Sequence, residues 1–290
     1  VKNKTILCVA LALVLSFAIT FPTYALEPDG SISGKVIDTI DGKDIIEYPV
    51  SKDIQKIQKL KEAKASLFFN YKDGKINKKE YTSKLKDLGI NQNEINNELN
   101  LASPLAITSG SQYLGLVQRS QDTYYYCGPA TAQEILKYKT STLYSQSTLA
   151  TPLRCNTSGT PWYDGLGTTG YPMADTLNSY IGSTYYIPYG TSVNSATFLS
   201  NVTWDIVHFY PVAGDAWEVP GGPHLVGHPT GSTIYHWFAI YGINTDTNYI
   251  RYADSVAGCS QISWSGNVPT YSDMYYTTLA TIVNGRGIIW

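Results

Sequence analysis

Apolar and polar positions alternate along this chain in three different ways, and each predicts a different kind of element. An unbroken apolar run from Ile6 to Phe21 follows Lys2 and Lys4 and ends at Pro22 and the pattern Thr23-Tyr24-Ala25. From Ser51 the apolar residues Ile54, Ile57, Leu60, Ala63 and Leu67 recur at spacings of three and four, which predicts one face of a helix. Asp73-Gly74 turns the chain, Ile76 and Asn77 open a second helix, and Gly89 closes it. Farther on, short apolar and aromatic runs bounded by turn residues predict strands: Ile206 to Val212 carrying His208, Tyr235 to Gly242, and Tyr249 to Ser255 after an Asn244 to Asn248 turn. Between these patterns Cys127-Gly128-Pro129 precedes Ala130, Ala132, Ile135 and Leu136, a helix that starts at the cysteine.

The first run reads as a secretory signal peptide over residues 1–25, cut after Ala25. Its 16 residues fall short of the roughly 20 needed to cross a bilayer. Cys8 lies too early in it to be a lipid-bearing cysteine. The expectation is a secreted protein, extracellular or associated with the cell wall, with no membrane contact once the signal is removed.

Charge divides the remainder. Leu26 to Asn100 holds 13 Lys and 13 acidic residues in 75 positions, whereas Leu101 to Trp290 holds only 6 basic and 10 acidic residues in 190. That second stretch carries 20 of the 24 tyrosines and all 6 tryptophans. Two such segments predict two units: a charged helical propeptide or accessory region over 26–105 and a tyrosine-rich domain over 106–290, joined by the low-charge linker Leu101 to Gln112. A formal charge of -2 leaves no basic surplus for phosphates, so nucleic acid is not an expected partner. Asp73-Gly74-x-Ile76-x-x-x-Glu80 resembles half of a calcium loop, but Phe69 and Tyr71 stand where early oxygen ligands belong, and a plain helical hairpin is expected instead.

The chemistry concentrates in the tyrosine-rich part. Cys127 at a helix amino terminus meets unpaired N–H groups and the positive end of the macrodipole, which favour an anion, and the thiolate is the reactive form of cysteine. A buried structural cysteine would fit the same local sequence. Two adjacent antiparallel strands bring His236 and Asp254, 18 residues apart, to one end of a hairpin, where a carboxylate can hold one imidazole nitrogen and leave the other facing a nucleophile.

The order and spacing of Gln121, Cys127, His236 and Asp254 resemble papain-like cysteine peptidases. Within that group Tyr126-Cys127-Gly128-Pro129-Ala130, Ser145 to Ala150, Gly167-Thr168-Thr169-Gly170, His236-Trp237-Phe238 and Tyr252-Ala253-Asp254-Ser255 are similar to family-thirty-nine-like peptidases, relatives of those that remove double-glycine leaders from bacteriocins. The resemblance covers roughly Gln112 to Trp290. It implies an α+β papain-like fold with a helical amino-terminal region. The implied roles are Cys127 as nucleophile, His236 as general base and acid, Asp254 as orienter and Gln121 as side-chain donor to the oxyanion. The Cys127 N–H would be the second oxyanion donor. Gln118 competes with Gln121, but its spacing of nine fits less well than six. The chain has no Walker A motif and no transmembrane bundle, so leader removal coupled to transport is not expected.

The expected activity is that of a secreted cysteine peptidase acting as a monomer on peptide or protein substrates, without a cofactor. The alternatives are a cell-wall amidase or transglutaminase on the same triad, or a catalytically silent cell-surface binding module. Trp217 to Pro229 carries His224 and His228 four apart, but its glycines and prolines make a helix implausible. A rim loop is expected there rather than a metal site, with Trp217 and His224 touching substrate together with Trp237. Losing the signal leaves Cys127, Cys155 and Cys259. Either Cys155 and Cys259 pair and leave Cys127 free, or none is paired.

Overall fold

The computed structural model describes residues 34–101 and 110–290. The signal sequence, most of the low-charge linker and the expected boundary at 105 lie outside these residues. Among the described residues no helix is long and apolar enough to cross a membrane.

The charged segment begins with an antiparallel hairpin, β1 (Lys35–Ile40) and β2 (Lys43–Glu47). Asp41 and Gly42, both at positive φ, turn it. Three helices follow: α1 (Lys52–Lys72), α2 (Lys78–Asp87) and α3 (Gln92–Leu101). Ser51 caps α1 by accepting from the Ile54 N–H. Asn77 and Glu80 exchange bonds with each other's backbone N–H in a capping box at α2, so the calcium-like pattern at Asp73 to Glu80 is a turn followed by a cap. Asn91 accepts from Glu94 N–H and opens α3, a helix that the two-helix expectation lacked, as it lacked the β1–β2 hairpin.

The α1 face also differs from its apolar spacing. Its buried residues are Ile54, Lys61, Ala65 and Phe68, while Leu60 is 38% exposed. The face is rotated because Lys61 has a partner beneath it: its ammonium lies 2.9 Å from Asp205, over the rings of Tyr185 and Trp290. A buried charge is tolerated where an opposite charge meets it.

The rest of the chain runs β3 (Ser111–Tyr113), α4 (Cys127–Thr140), α5 (Gln146–Ala150), α6 (Pro172–Ile181), β4 (Pro188–Gly190), α7 (Ser195–Val207), β5 (Val212–Glu218), β6 (Ile234–Asn244), β7 (Tyr249–Ala253), β8 (Tyr271–Tyr275), α8 (Tyr276–Ile282) and β9 (Gly287–Ile289). The strands form one antiparallel seven-stranded sheet in the order β4-β9-β5-β6-β7-β8, with β3 also on β6. Helix α4 packs on β6. This brings the helix that starts at Cys127 against the strand that carries His236.

The strand expected from Ile206 to Val212 is not formed. Asn194 caps α7 with bonds from Ala196 and Thr197 N–H, the helix runs to Val207, and His208 is its C-cap. Phe209 at φ 62 then turns the chain into β5. His208 is a satisfied histidine, with Nε2 2.9 Å from Glu98 of α3 and Nδ1 2.7 Å from the Trp204 carbonyl. Phe68 of α1 packs edge-on to Trp204 and His208, so the amino-terminal helices and the part beyond residue 110 share one core. Tyrosines fill this charge-poor interior: Tyr185 stacks on Tyr210 and donates to Asp205, and Tyr186 donates to the Pro211 carbonyl.

Candidate active site

Cys127 is the first residue of α4 and is buried, with Gly128 behind it. A Cβ on Gly128 would stand 2.2 Å from Thr160 Oγ1. Only glycine lets the residue 160 loop come this close to the helix start. His236, the third residue of β6, lies beside the Cys127 thiol, whose influence helps to raise the imidazole, and presents Nε2 to Asp254 Oδ1 at 3.0 Å. With Nε2 occupied by the acid, Nδ1 is the nitrogen left for the thiol. Asp254 lies one residue past the end of β7 and also accepts from the Val256 N–H at 2.9 Å.

The electrostatics follow from burial and pairing. Burial alone would lower the pKa of His236. The charge and hydrogen bond of Asp254, with the Cys127 contact, overcome it and hold the imidazole protonated well above the usual histidine range. Burial alone would raise the Asp254 carboxyl, but the His236 charge and the bonds from His228 and His236 hold it well below the usual carboxylate range.

The segment leading to Cys127 is fastened to the segment that carries Asp254. Gln118 Nε2 donates to the carbonyls of Asp254 and Ala257, and Ser120 Oγ donates to Ala257. The competing glutamine therefore ties two loops together. Gln121 donates from its backbone to the Ser255 carbonyl at 2.8 Å, accepts the Ser255 hydroxyl at Oε1, and gives one amide hydrogen to the Thr123 carbonyl.

Of the three residues expected to touch substrate, Trp217 lines a cavity. That cavity, of about 400 Å³, is walled by Trp162, Tyr163, Trp217 and Tyr235 of the catalytic part and by Lys43 and Tyr48 of the amino-terminal hairpin. Trp237 is buried instead: its indole donates to the Thr160 carbonyl and stacks on Trp162, bracing the loop that presses on Gly128. His224 holds its own loop together, with ring nitrogens 3.0 and 3.1 Å from the Gly222 and Ser232 carbonyls.

Two residues complete the cluster: Glu218, which sequence reasoning missed, and His228, which it placed on a rim loop and not beside Asp254. His228 Nε2 is 3.1 Å from Asp254 Oδ2, and its Nδ1 faces Glu218 at the end of β5. His228, His236 and Asp254 are the one group of described residues that could hold a metal ion, their ligating atoms lying within 4.8 Å of one another. Those atoms are already hydrogen-bond partners, and a cation would replace the bonds that orient His236. The three remaining cysteines are unpaired among the described residues, so the Cys155–Cys259 bridge is absent. Cys155 instead donates to the Tyr125 carbonyl, two residues before Cys127. Burial first, with the nearby Cys127 charge, outweighs a Thr160 hydrogen bond and pushes its thiol up to about 11.

A cysteine at a helix start, joined through a buried imidazole to a carboxylate, is an arrangement for thiol chemistry, and the sequence profile of the Peptidase_C39 like family matches residues 111–279. The chain belongs to this family. It is a cysteine-type peptidase of papain-like α+β fold. No curated protein matches the peptidase. Among solved structures it is similar to xylellain, a cysteine protease from Xylella fastidiosa, at 13% identity over 63% of this chain and 85% of that one, with a TM-score of 0.37.

Proposed function

We propose that the peptidase is exported and cleaves peptide bonds with Cys127 as nucleophile, His236 as proton carrier, Asp254 as orienter and Gln121 as an oxyanion donor. The observation that carries this reading is the place of His236, with Asp254 on its Nε2 at 3.0 Å and the Cys127 thiol beside the ring. The Cys127 thiolate attacks the scissile carbonyl carbon and forms a C–S bond. The carbonyl oxygen then carries the negative charge, and the second amide hydrogen of Gln121 with the Cys127 N–H supplies donors for it. Collapse of this intermediate breaks the C–N bond, and the imidazolium of His236 gives its proton to the departing amine. Neutral His236 next takes a proton from water. The resulting hydroxide attacks the thioester, expels the thiolate and leaves a carboxylic acid.

Incubation with an epoxide inhibitor of papain-like enzymes tests this. The expected result is one adduct, located by mass spectrometry on Cys127. Cys127→Ser and His236→Ala should each abolish hydrolysis of a peptide in protein shown to be folded, and Asp254→Asn should retain a fraction because an amide still orients imidazole. Full activity in Cys127→Ser, or an adduct on Cys155, would overturn the assignment.

A further inference from the structure

Asp254 has two carboxylate oxygens, and only Oδ1 faces the reacting histidine. Oδ2 is turned to a second imidazole, with His228 Nε2 3.1 Å away. The other nitrogen of that ring, Nδ1, lies 2.9 Å from Glu218 Oε1 and 3.1 Å from Oε2. The side chains of His228 and Glu218 are both 0% exposed. An ionised carboxylate can only accept, so a ring with a carboxylate at each nitrogen donates from both and is an imidazolium.

We propose that His228, fixed as a buried cation by Glu218, is a positioning residue that pins Asp254 so that Oδ1 stays on His236. The machinery is then a row of alternating acidic and basic side chains running from Cys127 through His236, Asp254 and His228 to Glu218. This rests on the reading of Cys127, His236 and Asp254 as the triad.

The His228–Glu218 pair adds no net charge to the site. What it adds is a donor to Oδ2 whose own place is set by an ion pair, so that rotating the Asp254 carboxylate would break a bond at each end. The titratable groups facing His228 are Glu218 from β5, Asp254 after β7 and His236 from β6, whose ring centroid is 5.3 Å away. His224, in the same loop, lies 3.9 Å from Glu218. The Trp264 indole closes a further side at 4.7 Å. Against burial, which disfavours the cation, the bonds to Asp254 and Glu218 raise the pKa of His228.

The test is a cycle in the full chain of His228→Ala, Asp254→Asn and the double variant, reading kcat and KM on a peptide substrate together with the thermal midpoint. His228→Ala should lower kcat about ten- to a hundredfold, the scale of a small misplacement of a reacting group, and leave KM within about twofold. The double variant should be no slower than Asp254→Asn alone, because His228 acts only through that carboxylate.

Should His228→Ala not fold, Glu218→Gln, which keeps the shape and an acceptor for the Leu225 N–H, carries the cycle instead. With one flanking carboxylate gone, His228 loses its proton at lower pH, so activity of Glu218→Gln should fall between pH 6 and 8, about the range in which an ordinary histidine titrates. The unmodified protein should show no such fall. Unchanged kcat in His228→Ala, losses that multiply in the double variant, or an unmodified pH profile in Glu218→Gln would overturn the proposal. If Asp254→Asn is itself fully active, the triad reading fails. If Asp254→Asn is impaired and His228→Ala is not, only the positioning role fails.

Discussion

Lys61 of α1 is the sharpest place to ask whether the amino-terminal helices are part of the folded enzyme or an appendage. Its side chain is 8% exposed, and its ammonium lies 2.9 Å from Asp205 Oδ1 and 3.7 Å from the centre of the Tyr185 ring. At that separation the attraction is about 6 kcal/mol for an effective dielectric of 20, and taking two ions out of water offsets most of it. Forming the pair is therefore close to neutral, whereas breaking it is not. Lys61→Ala leaves Asp205 buried, with Tyr185 Oη as its remaining donor, and removing one partner of a buried pair costs about 3–5 kcal/mol.

The stranded carboxyl escapes by taking up a proton, and that makes the cost depend on pH. Burial already raises the Asp205 pKa in the intact pair, against the opposing effect of Lys61. Without Lys61 it rises further, so the folded value lies far above the unfolded value of about 3.9. A group raised on folding contributes stability that is present below its unfolded pKa and is lost as pH rises towards its folded pKa. Holding that proton costs about 1.4 kcal/mol per pH unit above 3.9, or about 4 kcal/mol at pH 7 and about 1.5 at pH 5. Both values lie below the range in which Lys61 itself titrates, its pKa lowered by burial to about 8 against the pull of Asp205. Urea unfolding of the full chain at pH 5 and pH 7, followed by tryptophan fluorescence, measures the difference. Lys61→Ala should lose about 4 kcal/mol at pH 7 and clearly less at pH 5, and adding Asp205→Asn should remove the extra pH slope. A loss under about 1 kcal/mol at pH 7, or a slope equal to that of the unmodified protein, would show that α1 does not share the catalytic core.

Two shorter predictions bear on the cleft and the cysteines. Denatured without reductant, the chain from residue 26 onward should titrate three thiols, since Cys127, Cys155 and Cys259 are unpaired; a count of one would mean a bridge forms after all. Removing residues 26–48 while keeping α1 to α3 should raise turnover on a small peptide, because Tyr48 stacks on Tyr163 at 4.3 Å and Lys43 donates to Tyr235 Oη across the cavity beside Trp217. Equal turnover with and without those residues, both proteins being folded, would rule out a covering role for the hairpin.

What was legible in the sequence was local or one hairpin away. Cys127 could be placed because Gly128 and Pro129 announce a helix start, and His236 and Asp254 because β6 and β7 are joined by a short turn that sets their register. The rest was hidden by long-range charge compensation. Lys61 breaks the apolar face of α1 because Asp205 waits beneath it, and no periodicity encodes a partner 144 positions away. Glu218 and His228 meet only because Glu218 pairs with Ile234, which closes the base of a Gly- and Pro-rich loop and folds His228 back under Asp254. A signal was nevertheless present. Beyond Leu101 the chain has only 10 acidic residues, and five of them, Glu134, Asp205, Asp215, Glu218 and Asp254, are buried. An ionised carboxylate is rarely buried without a partner. In a stretch so poor in charge, each acid is therefore a question about which cation or proton it holds, and asking it of Glu218 leads to His228 and from there through Asp254 to His236.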